Sequence, residues 1–152
     1  RVLSVDVLTR TIRLADGRIL SVQTDALIDA GGDLTALADL ATALAANADV
    51  TACVTTKVDL LGIATVASIR FDLENADQAS GEVASVDPLT GTIVLDSGTR
   101  IRLLADADVS GDHGSLASIH AALAQGARIA VEAEGFLEND VLHARSVLCE
   151  LL

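Results

Sequence analysis

Apolar and polar residues alternate along most of this chain, and the alternation is broken at short intervals by Gly, Asp and Asn. That is the pattern of half-buried strands joined by tight turns. In "IAVEAEG" (129–135), Ile129, Val131 and Ala133 point to one side and Glu132 and Glu134 to the other. In the second half of the chain the pattern predicts strands at about 82–87, 92–96, 99–106, 127–136 and 141–151. "DPLTG" (87–91) reads as a type I turn with Pro88 at its second position and Gly91 ready for positive φ. "DSG" (96–98), like "ADG" (15–17), closes a second tight hairpin. Between the third and fourth strands the period changes. Leu116, Ile119, Ala122 and Leu123 fall at helical spacing, with Ser115 as N-cap and Gly126 as the stop.

The first half has the same plan. "VLSVDVLTRTIRLADG" (2–17) aligns without gaps on "VASVDPLTGTIVLDSG" (83–98), with ten of sixteen positions identical. Asp25-Ala26 then pairs with Asp106-Ala107, and "SI" (68–69) with "SV" (146–147). Leu34, Leu37, Leu40, Ala41 and Leu44 supply the helix, and strands follow at about 49–56 and 63–72. The organisation expected is repeat one over 1–73, a polar linker "ENADQAS" over 74–80, and repeat two over 81–152.

The last strand of each repeat breaks phase. Leu142 and Ala144 suit the core, then Val147, Cys149 and Leu151 do; in repeat one Ala64 and Val66 give way to Ile69, Phe71 and Leu73. A β-bulge at that place re-aims the strand. Five strands tend to close on themselves and so remove their edges. The expected fold is mainly β: two tandem five-stranded OB-like β-barrels, each with one short helix between strands three and four. A pair of sheets packed as a sandwich is the rival arrangement.

"GEVASVDPLTGTIVL", the later Asp-Ala run, "LAQGARIAVEAEG" and "LHARSV" resemble the bacterial domain-of-unknown-function family numbered 5666. Repeat two fits over nearly its whole length. Repeat one departs from the pattern: Arg10 replaces the turn glycine, and "NADVTACVT" lacks both glycines of the strand-four motif. The resemblance implies small OB-like barrels, often in tandem, on exported or lipid-anchored bacterial proteins. It implies no activity and no catalytic residues, because its motif positions are turn glycines and core residues.

Composition narrows the function classes. Hydrophobic residues make up 51% of the 152 residues, yet there are two Phe and no Trp, Tyr or Met, so the core is aliphatic. No apolar run of about 20 residues is present, so no transmembrane segment is expected. The chain begins at Arg1, which reads as a mature or trimmed fragment. The net charge is −12, and it is uneven: residues 73–152 hold thirteen acids and four bases. Such a surface repels phosphate backbones. Single-strand binding also needs stacking rings, and only Phe71 and Phe136 exist, so no nucleic-acid partner is expected.

The candidate chemistry is sparse. "DADVSGDHGSLA" (106–117) offers Asp106, Asp108, Ser110 and Asp112 at alternate positions with Gly111 between, the opening of a calcium loop. Ala117 stands where the bidentate Glu belongs, and a distant Glu82 or Glu138 would have to complete the site. Two readings stand: a weak Ca2+ site, or a solvated loop leading into the helix. His113, His120 and His143 show no metal-ligand spacing. Glu132 and Glu134 share a strand face, where a solvated role outweighs acid–base work. Cys149 aligns with core Phe71 and reads as a buried thiol, whereas Cys53 aligns with outward Glu132, so a disulfide between them is not expected. Thr51, Cys53 and Thr55 form an uncharged strand face in an anionic protein, which is either a docking surface or merely a neutral one. The function expected is non-enzymatic: a structural or interaction module of an exported assembly or filament, self-associating or binding other surface proteins. The alternative is a Ca2+- or small-ligand-binding barrel.

Overall fold

A computed structural model describes residues 1–24, 26–28, 31–58, 61 and 64–152, so Asp25 and the side chain of Ala64 lie outside the described residues. The chain divides into two compact units, Arg1–Asn75 and Ala76–Leu152. The first contains β1 (Val2–Asp6), β2 (Thr11–Leu14), β3 (Ile19–Ser21), β4 (Leu27–Ile28), α1 (Leu37–Ala45), β5 (Val50–Val58) and β6 (Ala64–Leu73). The second contains β7 (Asp77–Asp87), β8 (Thr92–Leu95), β9 (Arg100–Gly111), α2 (Leu116–Ala124), β10 (Ile129–Glu138) and β11 (Val141–Leu151).

The second unit is a closed five-stranded barrel. β7, β8, β9, β11 and β10 pair in that order and β10 returns to β7. β9 and β11 run parallel, and the other pairs are antiparallel. The helix between the third and fourth strands is where the sequence pattern puts it. Val83, Ile93, Ile101, Ile129, Val131 and Val147 line the core, and α2 inserts Ile119, which is fully buried. Each such side chain contributes roughly 1.5–3 kcal/mol by leaving water.

The first unit has the same element order but a different closure. Its described residues form two three-stranded sheets, β1-β2-β3 and β4-β6-β5. One local difference bears on this. β9 runs through 12 residues without interruption, absorbing a register jump near Asp106, which sits at φ 60. Its counterpart is split into β3 and β4. In the second unit β10 is covered by Asp77–Glu82, which pair with Gly135–Ala130. Residues 77–80, expected in the linker, are therefore the opening of β7. Polar side chains hide this strand from a hydrophobicity pattern, because backbone pairing specifies it.

The bulge falls where the phase breaks. Glu134 pairs with Ser146 and Gly135 with Ala144, leaving Arg145 as the extra residue. Thr55 pairs with Ser68 and Thr56 with Val66, leaving Ala67 in the same role. Ser115 caps α2 by accepting from the Ser118 N–H at 3.2 Å, whereas Ala36 before α1 offers no side-chain cap.

The hairpin turns show how one repeat substitutes for the other. Gly91 has φ 69, and its counterpart Arg10 has φ 53. A left-handed conformation costs a non-glycine residue roughly 1–2 kcal/mol. Arg10 recovers part of this by donating from Nε to the Val22 carbonyl at 2.9 Å and from Nη2 to the Gln23 carbonyl at 3.2 Å. Arg10→Ala loses those bonds and keeps the backbone cost. Arg10→Gly loses the bonds and sheds the cost, so the alanine variant is expected to be about 1 kcal/mol the less stable of the two in urea denaturation.

Both turns open on an aspartate. Asp87 accepts from the Leu89 N–H at 3.0 Å and the Thr90 hydroxyl at 2.8 Å, and Asp6 accepts from the Leu8 and Thr9 N–H groups at 3.0 Å each. The Thr90 hydroxyl bond holds the Asp87 carboxyl below the usual range, and the Thr9 backbone bond does the same for Asp6. A lowered folded value means stability that is full above the ordinary aspartate value and is lost as pH falls through the lowered one. The melting temperature is expected to drop on acidification below about pH 4, and the double variant Asp6→Asn/Asp87→Asn should show a smaller drop. Melting curves across that window check this.

Candidate interaction surfaces

Most of the 106–112 segment is strand and its last residue, Asp112, lies in a turn. Residues up to Gly111 belong to β9, with Asp108 opposite Ser146, Ser110 opposite Leu148 and Gly111 opposite Cys149. A calcium loop must wrap its oxygens around one point, whereas an extended backbone sets alternate residues about 6.5–7 Å apart. Among the described residues no group of three or more His, Cys, Asp and Glu gathers as a metal site would need. Glu82, one of the distant ligands considered, is held by Arg128 through bonds of 2.8 and 2.7 Å, which keep its carboxyl below the usual range. Glu138 lies 3.2 Å from His143 Nε2.

Asp112 has a structural task instead. Its N–H donates to the Cys149 carbonyl at 2.8 Å, and its Oδ2 accepts from the Leu151 N–H at 2.9 Å. Asp33 does the same in the first unit, donating to the Phe71 carbonyl at 2.7 Å and accepting from the Leu73 N–H at 2.7 Å. Each aspartate follows a glycine pressed on the last strand: a Cβ at Gly32 would stand 2.7 Å from the Phe71 carbonyl oxygen, and one at Gly111 would collide with that of Cys149. The Gly-Asp dipeptide is a clasp between the third strand's end and the fifth strand. Its recurrence at 32–33 and 111–112 is the signal in the sequence for this role.

The uncharged strand face belongs to β5 of the first unit. Cys53 and Thr55 are exposed and Thr51 is half-buried. β5 pairs with β6 from Val50 to Val58. The corresponding positions of β10 carry charge, with Glu132 opposite Ser80 and Glu134 opposite Gln78 of β7. An ion pair recurs in both units with its charges exchanged: Arg1–Asp49 at 2.7 Å in the first, Glu82–Arg128 at 2.7 Å in the second. Lys57 is the one charged residue of β5.

Both cysteines are free; Cys53 is exposed and Cys149 buried, as their alignment predicts. Burial pushes the Cys149 thiol up, away from the reactive thiolate. A maleimide is expected to label Cys53 in the native protein and to reach Cys149 only on unfolding. Mass spectrometry of native and denatured samples reads this out.

Two concavities lie on the second unit among the described residues. The larger, of about 410 Å³, runs over Gln78, Ser80, Glu132, Glu134 and Ser146. Glu134 is tied there to Arg145 at 3.0 Å. The smaller, of about 280 Å³, is lined by Arg100, Arg102 and His143 with Thr92, Glu138 and Asn139. Asn139 and Asp140, both at positive φ, make the two-residue turn between β10 and β11 that forms its rim. Sequence reasoning passed over this place, although "RIR" (100–102) around buried Ile101 already puts both arginines outside. The three histidines stay apart: His113 is half-buried before α2, His120 bonds the Val86 carbonyl at 3.0 Å, and His143 stacks on Phe136 with ring centroids 5.1 Å apart.

No family model, curated protein or solved structure matches this chain.

Proposed function

We propose that the protein is a non-catalytic structural module of a bacterial extracytoplasmic assembly, built of two OB-like halves, and that it works by presenting the uncharged face of β5 to another chain. The observation that carries this reading is the face formed by Thr51, Cys53 and Thr55, on which Cys53 and Thr55 are exposed, in a protein of net charge −12. A neutral face on an anionic surface suits docking, because covering it desolvates no charge. The strand order of the second unit and the helix position in both support the OB-like reading. The motif resemblance of repeat two supports the extracytoplasmic setting. Heterologous contacts of this kind extend into filaments when the rotation between copies does not close.

Sedimentation and light scattering test the proposal. The average mass should rise with concentration, electron microscopy should show ordered assemblies, and Thr55→Lys should hold the protein monomeric by charging the face. A wild-type protein that stays monomeric at high concentration overturns it.

A further inference from the structure

Residues 73–152 hold thirteen acids and only four bases, Arg100, Arg102, Arg128 and Arg145. Arg128 pairs with Glu82 and Arg145 with Glu134. The remaining two stand together on β9 and line the 280 Å³ concavity, and neither guanidinium has an ion-pair or hydrogen-bond partner among the described residues. The one carboxylate of the concavity, Glu138, is engaged by His143 and by neither arginine.

The register explains why the group converges. Arg100 and Arg102 flank Ile101, which is fully buried, so both project to the outer face. Thr92 on β8 and His143 on β11 lie directly beside Arg102 in the two neighbouring pairings. The row Thr92–Arg102–His143 thus crosses three hydrogen-bonded strands, with Arg100 one step along and Asn139 at the rim. A site built on paired strands is stiffer than one built on loops.

We propose that this concavity binds a carboxylate group. A guanidinium presents a planar fork that matches a carboxylate with two parallel hydrogen bonds. The second arginine, the Thr92 hydroxyl and the Asn139 amide supply further donors. Charge selects the class of anion: Glu138 in the concavity and Asp140 in its rim turn offset the two arginines, which suits a monovalent carboxylate better than a phosphate dianion. The carboxylate belongs either to a small organic acid or to an acidic side chain of a second copy of this chain.

Acetate is the probe that tests it. In the full ¹⁵N-labelled chain, acetate should shift the amide signals of Thr92, Arg102 and His143 saturably. The double variant Arg100→Gln/Arg102→Gln should weaken binding at least about tenfold, the equivalent of one lost charge-assisted pair. Arg13→Gln, which removes an exposed arginine of β2, should leave binding unchanged. Sedimentation in the same buffers identifies the source. If a second copy supplies the carboxylate, acetate and the double variant both lower the average mass; if a small acid does, acetate binds with the mass unchanged. The assignment is overturned if no saturable shift develops up to about 50 mM acetate, far above a millimolar dissociation constant. It is equally overturned if the shifts persist in the double variant, or if phosphate binds more tightly than acetate at equal ionic strength.

Discussion

Gly111→Ala is expected to destabilise the second unit by about 3 kcal/mol or more, a loss in the range reserved for backbone collisions and core disruption. Gly111 has φ +90, which alone costs a residue with a Cβ roughly 1–2 kcal/mol. The larger share comes from what the Cβ meets. It collides with the Cys149 carbonyl oxygen and stands 3.0 Å from that residue's carbonyl carbon and nitrogen. These are backbone atoms of the last pair in the β9–β11 ladder and cannot swing aside as a side-chain tip can. Relief requires β9 and β11 to part, which also breaks the Asp112 bonds to Cys149 and Leu151. Gly98→Ala is the control, since Gly98 has φ +87 and nothing within 4 Å of the added carbon. Urea denaturation should show a loss near 1 kcal/mol at Gly98 and at least twice that at Gly111. Equal losses at the two sites would mean that the close approach carries no energy.

Phe71→Ala is expected to cost the first unit about 3–5 kcal/mol, the usual range for truncating a buried ring. Phe71 is fully exposed to no solvent at all, with 0% of its surface accessible, and it is one of only two aromatic rings in the chain. The rest of the large buried side chains in that unit, Ile12, Leu34, Leu40 and Ile69, are aliphatic. A unit of this size buries a modest share of its surface and has little stability to spare. The backbone of Phe71 also receives the Asp33 N–H and, at 3.3 Å, the Leu34 N–H, so collapse around the missing ring disturbs the clasp. Denaturation of the full chain should therefore show the first unit melting early while the second keeps its midpoint. Its counterpart Cys149 fills the same place with far less volume, and Cys149→Ala should cost much less. A change below about 1 kcal/mol for Phe71→Ala would contradict the core assignment.

Much of this fold was legible in the residues. The gapless match of 2–17 on 83–98 gives the duplication, the phase breaks at Ala64–Ile69 and Ala144–Val147 give the bulges, and Ser115 gives the cap. These signals work because a buried face enforces a period and a turn enforces a residue type. The first strand of the second barrel was hidden, because "DQAS" presents no apolar face and is held by main-chain bonds to β10. The alternating Asp106, Asp108, Ser110 and Asp112 were ambiguous for a different reason. Every second residue is the spacing of metal ligands in a loop and also of side chains along one face of a strand. The pairing that leaves Arg100 and Arg102 unmatched is a tertiary property, and only their outward direction could be read from Ile101 between them.

The stave that shuts the second barrel comes from the stretch connecting the two sequence copies, since β6 ends at Leu73 and β7 begins at Asp77. Scissors guided by the alignment cut near Gly81 and leave a barrel with a missing plank. Scissors guided by pairing cut before Ala76 and keep the vessel whole.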